Sequence, residues 1–455
     1  MDDQYDQSPF SVWQWHLLAQ VCRRWRQIIS ESPCRLDLQL LCMDASRNPF
    51  REIVGIWPTI PITILSWNLG LGPADEVIAA LEHPDRVSRI SLLVNKSQLG
   101  ESAALMQEPF KVLTHLSITS RCGIVQSLPD GFLGGSAPSL QQLQLCGILY
   151  PALPVLLLSA SHLVDLRLLN IPPTGHISPE AMVSHVAASP KLETLYIGFS
   201  DVASFPDLII SPPITRTVLP VLCNFSFSGK FKYLEDFVSR IDAPQLNSIS
   251  VYYQQRDIGI NFDVSQLPKF INRSENLKRS LSQHCKIMVD QDIITLCVGR
   301  TTSERGNPKP GVSVHLVTEE QSVGSANILG FMSPILSDIV HCTIDAMYFM
   351  LESGLGRDDL DCLQLLRQLS SLQTLIVFNK IGGIISRVLG HIDVGTITEI
   401  LPALQLLCIE EEEEEEEYRH TPSVHMFLAI RRDSGHPVTF VETKEEFEER
   451  LKSYL

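Results

Sequence analysis

The sequence predicts an α/β fold made of one elongated array of short repeats. Three observations predict it: an apolar phrase that recurs along the chain, a spacing of 23 to 30 residues between most copies, and segments of helical periodicity between them. Hydrophobic residues make up 44% of the 455 residues and charged residues 19%, which is a globular composition. A chain of this length can hold two or three ordinary domains or one such array.

The recurring phrase is a proline or small residue followed by Leu-x-x-Leu-x-apolar. Its copies are APSLQQLQL (137–145), ASHLVDLRL (160–168), SPKLETLYI (189–197), LPVLCNFSF (219–227), APQLNSISV (243–251), LSSLQTLIV (369–377) and LPALQLLCI (401–409), with looser copies RVSRISLLV (86–94) and FKVLTHLSI (110–118). The pattern places alternate side chains of a short strand on one face. One strand cannot bury that face alone, whereas stacked copies form a parallel ladder with a continuous core.

The spacing of the copies points to a particular kind of array. The anchors Val87, Leu113, Leu140, Leu163, Leu192, Leu222 and Leu246 are separated by 26, 27, 23, 29, 30 and 24 residues. A leucine-rich solenoid has ~20–29 residues per repeat. Because the asparagine that usually follows the strand is mostly missing, with Ile148 and Ile171 at that place, we expect an irregular, curved leucine-rich-repeat-like solenoid over residues 51–430. The alternative is a large α/β domain whose strands merely share composition.

The segments between the copies predict helices, loops and weaker strands. In SPEAMVSHVAASP (178–190), Ser178 is a predicted N-cap and Pro179 the first helical residue, and 234–241 also predicts a short helix. Between Leu246 and Leu372 the phrase fades. We expect the solenoid to continue there in irregular repeats. The candidate strands are 285–289, 312–317 and 346–351, and the candidate exposed loop is 299–311.

The net charge of -16 is concentrated near the C-terminus, where 410–449 holds fourteen of the 52 acidic residues. The glutamate run 410–417 predicts a solvated insertion, although it could attract a basic partner. The basic cluster Arg23, Arg24 and Arg26 is too small for a nucleic-acid interface, so no nucleic-acid partner is expected.

The last segment, 431–455, predicts a capping strand and helix. Thr443 and Glu446 form a capping box, and Phe447, Leu451 and Leu455 form an apolar stripe. We expect this helix to cover the open end of the array, because terminal repeats need a cap.

The stretch QVCRRWRQIISESP (20–33) predicts an amphipathic helix that ends at Pro33. Its apolar stripe runs through Leu17, Val21, Trp25 and Ile28. From the pattern alone, the stripe could simply pack on the first repeats.

A resemblance adds a function to that helix. LLAQVCRRWRQIISESPCRLDLQLLC (17–42), followed by IWPTIPITI (56–64), resembles the second half of an F-box in the large fungal group of F-box proteins. LPALQLLCIE (401–410) and 427–451 resemble the last repeat and closing segment of the same group. The usual Leu-Pro-x-Glu-type opening and first helix have no counterpart in 1–16, where Trp13 and Trp15 could replace part of the missing surface.

The resemblance implies that residues 1–50 are a partial F-box-like helical segment. It further implies a substrate-recognition subunit of a cullin-RING (SCF) ubiquitin ligase, which binds a Skp-type adaptor on a cullin scaffold and an unknown target protein. The adaptor contacts it implies are Leu18, Val21, Cys22 and Trp25. For the target, we expect the concave strand face or an adjoining loop edge. The runner-up function is a solenoid interaction scaffold without a ligase link.

An enzyme whose site assembles from distant loops is the third possibility, and no motif favours it. The phosphate-loop, nucleophile-elbow, zinc-protease and dinucleotide motifs do not occur in the sequence. His341 and Cys342 are adjacent and should point in different directions, the spacing of His420, His425 and His436 fits no familiar metal site, and Asp358–Asp359 falls in a polar turn. We therefore expect no catalytic activity, cofactor or metal.

The cysteines and the N-terminus favour a reducing compartment. The eleven cysteines include no CxxC pair, and an odd number cannot pair fully within one chain. The acidic start has no apolar signal core, and the most apolar stretch, 148–160, is too short for a bilayer and holds two prolines. We expect buried free thiols, a cytoplasmic or nuclear location and no membrane partner.

Overall fold

The structure of the protein is a computed structural model. It describes residues 22–24, 27, 40–43, 51, 54–55, 59–66, 74–120, 126–149, 151–200, 215–255, 265–281, 284–290, 293–301, 308–318, 339–346, 363, 366–379, 381–390, 392, 396, 399–410, 421–441 and 446.

These residues form a mixed α/β fold around one large sheet, which agrees with the predicted fold class. The strands are β1 Leu40–Met43, β2 Ile62–Ser66, β3 Val87–Val94, β4 His115–Ser120, β5 Gln126–Ser127, β6 Gln142–Cys146, β7 Ile148–Leu149, β8 Asp165–Ile171, β9 Thr194–Phe199, β10 Thr217–Val218, β11 Asn224–Gly229, β12 Ile241–Asp242, β13 Ser248–Gln255, β14 His284–Asp290, β15 Ile293–Thr301, β16 Pro308–Thr318, β17 His341–Ala346, β18 Thr374–Asn379, β19 Leu406–Glu410 and β20 Thr439–Val441. The helices are α1 Ala74–Leu81, α2 Lys96–Leu105, α3 Leu153–Ser159, α4 Pro179–Ala187, α5 Phe231–Ser239, α6 Gln266–Arg273, α7 Glu275–Leu281, α8 Ile381–Gly390 and α9 Thr421–Asp433.

The large sheet has sixteen strands among the described residues. Their order is β1-β2-β3-β4-β6-β8-β9-β11-β13-β16-β15-β14-β17-β18-β19-β20. Neighbouring strands run parallel, except that β15 is antiparallel to both β14 and β16. Two short parallel pairs, β5 with β7 and β10 with β12, lie outside this sheet.

Each copy of the recurring phrase ends in a strand of this sheet. In the copy 160–168, the anchor Leu163 precedes β8, while Leu166 and Leu168 lie within it, and all three are at most 3% exposed. Leu166 is in register with Leu143 of β6, so equivalent leucines stack from strand to strand. The same alternation buries the other anchors, which explains why the phrase needs apolar residues at these spacings.

The helices pack on one face of the sheet and complete the core. Ser178 caps α4 by accepting a hydrogen bond from the backbone N–H of Ala181, with Pro179 as the first helical residue, as predicted. The helix predicted at 234–241 is α5, which begins earlier, at Phe231. Its Glu235 is 3% exposed and accepts hydrogen bonds from the backbone N–H groups at the start of α6.

At two strand exits a left-handed residue lies one position before the place of the expected asparagine. Gly147 (φ 68°) and Asn170 (φ 49°) precede Ile148 and Ile171, which are buried. The Gly147 N–H donates to the carbonyl of Leu169 at 2.9 Å. Left-handed backbone, apolar packing and the Asn170 amide, which donates to Cys146 Sγ at 3.4 Å, therefore all contribute to these turns.

The region between β13 and β18 differs from the predicted run of irregular repeats. The candidate strands 285–289 and 312–317 are parts of β14 and β16, whereas β15 and β17 were not predicted as strands. Of the candidate strand 346–351, only Ala346 lies in the described residues. Because β14, β15 and β16 form an antiparallel meander, β16 and not β14 pairs with β13.

The loop predicted at 299–311 is wrong at both of its ends. Arg300 pairs with Lys309 and Thr301 with Pro308, so these residues extend the arms of the β15–β16 hairpin. Glycine and proline suggested a loop, but pairing along the hairpin overrides the local preference. Residues 302–307 lie outside the described part of the chain.

The large sheet does not begin and end at the predicted domain boundaries. β1 falls within the predicted helical segment 1–50 and pairs with β2, so the sheet begins before residue 51. α9 runs across the predicted boundary at 430/431, and β20 forms the expected strand after it. From the predicted C-terminal helix only Glu446 is described, and it is helical.

Candidate functional site

The sheet has a second face, away from the helices, which we call the open face. In β8, Leu166 and Leu168 point toward the helix-covered core, so Asp165 and Arg167 point the other way. The open face of the strands from β3 to β16 carries Arg89, His115, Ser117, Gln142, Gln144, Asp165, Arg167, Thr194, Tyr196, Asn224, Ser226, Ser250, Tyr252, Ser313 and His315. All of these are exposed or partly exposed except Ser313, which is 6% exposed.

The parallel register aligns these side chains into rows across the sheet. The central row runs through Ser117, Gln144, Arg167, Tyr196, Ser226, Ser250 and Ser313, on β4, β6, β8, β9, β11, β13 and β16. At ~4.8 Å between neighbouring strands, the row spans about 29 Å. A polar surface of this length suits an extended partner better than a small molecule.

The most ordered polar cluster on the open face lies where β13 meets β16. The rings of Tyr252 and His315 stack with centroids 4.2 Å apart and planes 3° from parallel. His315 Nδ1 lies 3.0 Å from Thr295 Oγ1, and its Nε2 lies 3.3 Å from Ser313 Oγ. Ser313 Oγ in turn lies 2.8 Å from Ser250 Oγ. Thr295 and Ser313 thus hold the imidazole in one orientation against the ring of Tyr252.

Burial sets the protonation state of this imidazole. Desolvation lowers the pKa of His315, because a charged imidazolium is costly away from water. The neutral ring can donate through one nitrogen and accept through the other, which matches two hydroxyl partners. Since Ser313 is buried, the hydroxyl–imidazole pair is better placed to stabilise the face than to attack a substrate.

An ion pair and a tyrosine occupy the middle of the central row. The Arg167 guanidinium donates to both carboxylate oxygens of Asp165, with the closest contact at 2.9 Å, and their side chains are 40% and 15% exposed. Tyr196, in register with Arg167, is half-buried. Burial, followed by Tyr252 and Cys146, raises the pKa of Tyr196, so its phenol stays protonated and available as a donor.

A second stacked pair lies at the far side of the meander. His284 of β14 and His341 of β17 are in register, with ring centroids 4.8 Å apart. Burial and then the neighbouring His341 lower the pKa of His284 to about 4, and burial lowers the pKa of His341. Both rings are therefore neutral at pH 7, because burial disfavours a charged imidazolium at each position.

Of the adaptor contacts that the resemblance implies, the structure describes Cys22 alone. Cys22 is a free, exposed thiol, and Arg23, Arg24 and Gln27 are exposed and helical. Leu18, Val21 and Trp25 lie outside the described residues, and so do Trp13 and Trp15.

The other residues singled out in the sequence are spread over the fold. His341 and Cys342 point to opposite faces of β17, as predicted, because Cys342 is 1% exposed in the core while His341 stacks on the open face. His425 lies on α9 and His436 is exposed beyond it. Asp358, Asp359, His420 and the glutamates after Glu410 lie outside the described part of the chain.

Histidine, cysteine and acidic side chains are dispersed over the part of the chain that the structure describes. Within the described residues, no group of three or more of them could hold a metal ion. The seven cysteines with described side chains are free thiols, and Cys285, Cys342 and Cys408 among them are buried. Among the described helices, none is both long and apolar enough to cross a membrane.

The sequence analysis singled out neither Tyr252 nor His315. Tyr252 and His315 are 63 residues apart in the chain, and each looked like an ordinary strand residue. The sequence did indicate which face they occupy. Each residue alternates with core residues along its strand, so its side chain had to point away from the core. Their proximity follows from β16 lying next to β13, which local sequence does not encode.

Comparison with known proteins adds little to this geometry. No protein-family profile matches the chain, and no curated protein matches it. Among solved structures, a chain from a crystal structure of the TLR13–ssRNA13 complex is similar over 82% of this chain, with 12% identity and a TM-score of 0.30. The match covers 45% of that chain, so this protein spans less than half of its neighbour. A similarity this weak supports no argument about fold or function, and the F-box resemblance rests on the sequence motifs at the two ends of the chain.

Proposed function

We propose that this chain is a non-enzymatic substrate-recognition subunit of the F-box type, which links a target protein to a cullin-RING (SCF) ubiquitin ligase. The observation that carries the recognition part is the continuous polar open face from Arg89 to His315. Such a subunit performs no chemistry itself. It raises the effective concentration of the target near the ubiquitin-carrying enzyme.

We further propose that the sheet and its helices form an irregular leucine-rich-repeat-like solenoid. Supporting this, strands β1 to β13 of the large sheet follow one another in chain order and run parallel, and a strand ends each copy of the phrase. Side chains also bond to backbone groups about one repeat length away in the sequence. Thr114 Oγ1 donates to the carbonyl of Ser88 at 2.9 Å, and Ser274 Oγ donates to that of Leu246 at 2.9 Å.

The composition of the open face favours a protein as the target. Tyrosine, serine and asparagine dominate its rows between β9 and β16, as they do in antibody combining sites. Tyrosine gives rigid contact area at low entropic cost, and the hydroxyl and amide groups adapt their hydrogen bonds to the partner. Because Arg167 is paired with Asp165 on β8, the open face from β8 to β16 carries little net charge, which does not favour a nucleic acid.

The proposed adaptor contact is the predicted helix in 20–33, of which Arg23, Arg24 and Gln27 are helical in the structure and Cys22 directly precedes Arg23. Its support is the Val-Cys-Arg-Arg-Trp-Arg sequence at 21–26, its Ser-Pro stop at 32–33, and the exposure of Cys22, Arg23 and Arg24. In this proposal Leu18, Val21, Cys22 and Trp25 contact the Skp-type adaptor, with Trp25 as a large apolar anchor.

The decisive experiment is calorimetric titration of the full chain with purified Skp adaptor. We expect binding at a Kd of about 1 μM or tighter, which is about -8 kcal/mol. Trp25→Ala should abolish binding, whereas Arg23→Ala, on the side away from the apolar stripe, should leave the Kd within about threefold because an exposed rim side chain contributes little. Each variant must keep the circular-dichroism spectrum and melting temperature of the unchanged chain.

The second candidate is an interaction scaffold without a ligase link, which the same open face supports equally well. A well-folded chain that binds no adaptor would exclude the ligase link and leave this candidate. Equal loss of adaptor binding in Trp25→Ala and Arg23→Ala would also contradict the proposed contact.

A further inference from the structure

Two buried cysteines lie side by side in the core, where the antiparallel meander meets the last part of the parallel ladder. Cys285 of β14 and Cys342 of β17 are register partners on adjacent parallel strands. Both side chains point to the helix-covered core, with exposed fractions of 3% and 1%, and both are free thiols. Neither takes part in the proposed recognition of a target, which uses the opposite face of the sheet.

The spacing of the two residues suits a disulfide bond. In-register residues on neighbouring strands have Cα atoms ~4.8 Å apart, and a disulfide joins Cα atoms that are ~4.4–6.8 Å apart. Because the two strands are parallel and in register, both Cβ atoms leave the sheet on the same side. The bond therefore needs side-chain rotation and an approach of the Cβ atoms by about 1 Å or less, with no change of strand register.

The two thiols are already in contact. The Cys285 thiol is hydrogen-bonded to that of Cys342, and this bond, followed by burial, holds the pKa of Cys285 well above its ordinary value. Because Cys285 keeps its proton, its S–H group donates to the sulfur of Cys342. Cys342 is thus placed to act as the nucleophile, with Cys285 beside it as the resolving thiol.

The surroundings of the pair are apolar. Val298 of β15 is in register with Cys285 and Leu375 of β18 with Cys342, and both of these neighbours are buried. Cys297 is also on β15, but it alternates with core residues and therefore points to the open face. On the core face, each of the two thiols thus has the other as its register partner.

We propose that Cys285 and Cys342 form a reversible disulfide, which ties β14 to β17 when the chain meets a hydroperoxide such as hydrogen peroxide. The Cys342 thiolate attacks one peroxide oxygen, the O–O bond breaks, and the leaving hydroxide takes up a proton to become water. Cys285 then loses its proton, and its sulfur attacks the sulfur of the sulfenic acid. The S–S bond forms as the S–O bond breaks, and the second oxygen also leaves as water. Two electrons pass from the two thiols to the peroxide.

The disulfide acts on the fold rather than on the recognition surface. The chain between the two cysteines contains β15 and β16, so the bond fixes the meander to the ladder strand that follows it. Both sulfurs are on the core side, so the polar rows of the open face stay unmodified. Burial keeps the pair unreactive in the closed core, and oxidation therefore proceeds slowly, through local opening.

Peroxide treatment of the full chain tests the disulfide. After treatment and trypsin digestion without a reductant, we expect peptide 280–286, which contains Cys285, to be linked to the peptide that contains Cys342. The linked species should be about 2 Da lighter than the sum of the two peptides, because two hydrogens are lost. Dithiothreitol should release both peptides, because a disulfide is reversible whereas a sulfinic acid is not.

Cysteine variants identify the two sulfurs. Cys285→Ala and Cys342→Ala should each remove the linkage completely. Cys297→Ala is the matched control, since it removes a thiol of the neighbouring strand on the other face, and it should keep the linked fraction within about twofold of that in the unchanged chain. If an alanine variant does not fold, the linked peptides of the unchanged chain decide alone.

Exposed Cys22 reports that the peroxide has reacted, because its thiol is accessible in the folded chain. Three results would each overturn the inference. They are a linkage of Cys285 to Cys297, oxidation of Cys285 and Cys342 to sulfinic acids alone, and the absence of any linkage between them after Cys22 is fully oxidised.

Discussion

Tyr252 and His315 lie face to face on β13 and β16, with ring centroids 4.2 Å apart and planes 3° from parallel. They are register partners at the junction between the parallel ladder and the antiparallel meander. The stack is therefore both a rigid element of the open face and a link between two segments that are distant in the chain.

The energy of this stack can be measured with a double-mutant cycle. We expect Tyr252→Leu and His315→Gln to be coupled by about 0.5–1.5 kcal/mol, the range for aromatic pairs beyond their buried area. Urea unfolding of the two single variants and the double variant gives the coupling. Tyr252→Phe, which keeps the ring, should retain it. Additive effects would show that the two rings contribute independently.

The repeat leucines should dominate stability, while their open-face neighbours should not. Leu143 is 1% exposed and stacks between Leu116 and Leu166. Leu143→Ala should lower the free energy of unfolding by ~2–5 kcal/mol, because it leaves a cavity in the core. The adjacent exposed Gln142 gives a matched control, and Gln142→Ala should change it by less than ~0.5 kcal/mol. Chemical denaturation measures both, and similar losses would contradict the alternation of the two faces.

The buried carboxylate of Glu235 should stabilise the connection between α5 and α6. It accepts hydrogen bonds from the N–H groups of Gln266 and Leu267 at 2.7 and 2.9 Å. Glu235→Ala leaves these donors without their carboxylate partner, so we expect a loss of ~1–3 kcal/mol in the free energy of unfolding. Glu235→Gln should cost less, since an amide oxygen can still accept.

Glu275 provides the comparison for Glu235, because its side chain is 74% exposed and its partner Lys278 is 42% exposed. Glu275→Ala should change stability by at most ~0.5 kcal/mol. A loss in Glu235→Ala no larger than this would show that the carboxylate does not stabilise the start of α6.

Stability should fall on mild acidification, and His284 should account for part of that fall. Its pKa is lowered from 6.5 to about 4 in the folded chain, so the unfolded chain binds more protons between these values. The contribution of a neutral His284 is therefore fully present above pH 6.5 and is lost as the pH falls toward 4. In His284→Gln, the loss of unfolding free energy between pH 7 and pH 5 should shrink by about 1 kcal/mol, after allowance for solvent screening of a partly exposed ring.

Urea unfolding at several pH values measures this dependence. His436→Gln, at an exposed position, should keep the full acid dependence of the unchanged chain. An identical pH profile for His284→Gln and the unchanged chain would exclude a role for the stacked histidines.

The strands that the sequence predicted best are those with the full phrase. In LETLYI, for example, the Leu-x-x-Leu spacing places Leu192 just before β9 and Leu195 within it, and both side chains are buried. β15 was missed because no anchor leucine precedes IITLCVGRT. Its antiparallel pairing with β14 and β16 is not encoded in any local sequence pattern. The polar ends of the β15–β16 hairpin resembled a loop because the local sequence does not show that they pair with each other.

The residues of the open face were also predictable only in part. Alternation along each strand is sufficient to place side chains such as Arg167 and Tyr196 away from the core. The register between distant strands decides which of them meet. The His284–His341 stack depends on β14 pairing with β17 across more than fifty residues of sequence, so no local pattern could have indicated it.

The meander between β13 and β17 imposes a parity rule on this protein. Strands joined directly by hairpins alternate in direction, so they must be inserted in pairs if the strands that follow are to keep the direction of the ladder. β14, β15 and β16 satisfy this condition as one repeat strand plus one hairpin. The connection from β16 to β17 must then pass two strands, an offset of about 14 Å across the sheet, and must also return along the sheet, because β16 and β17 run parallel. A variant from which one strand of the hairpin was deleted would have to reverse every strand that follows, whereas removal of both would preserve their direction.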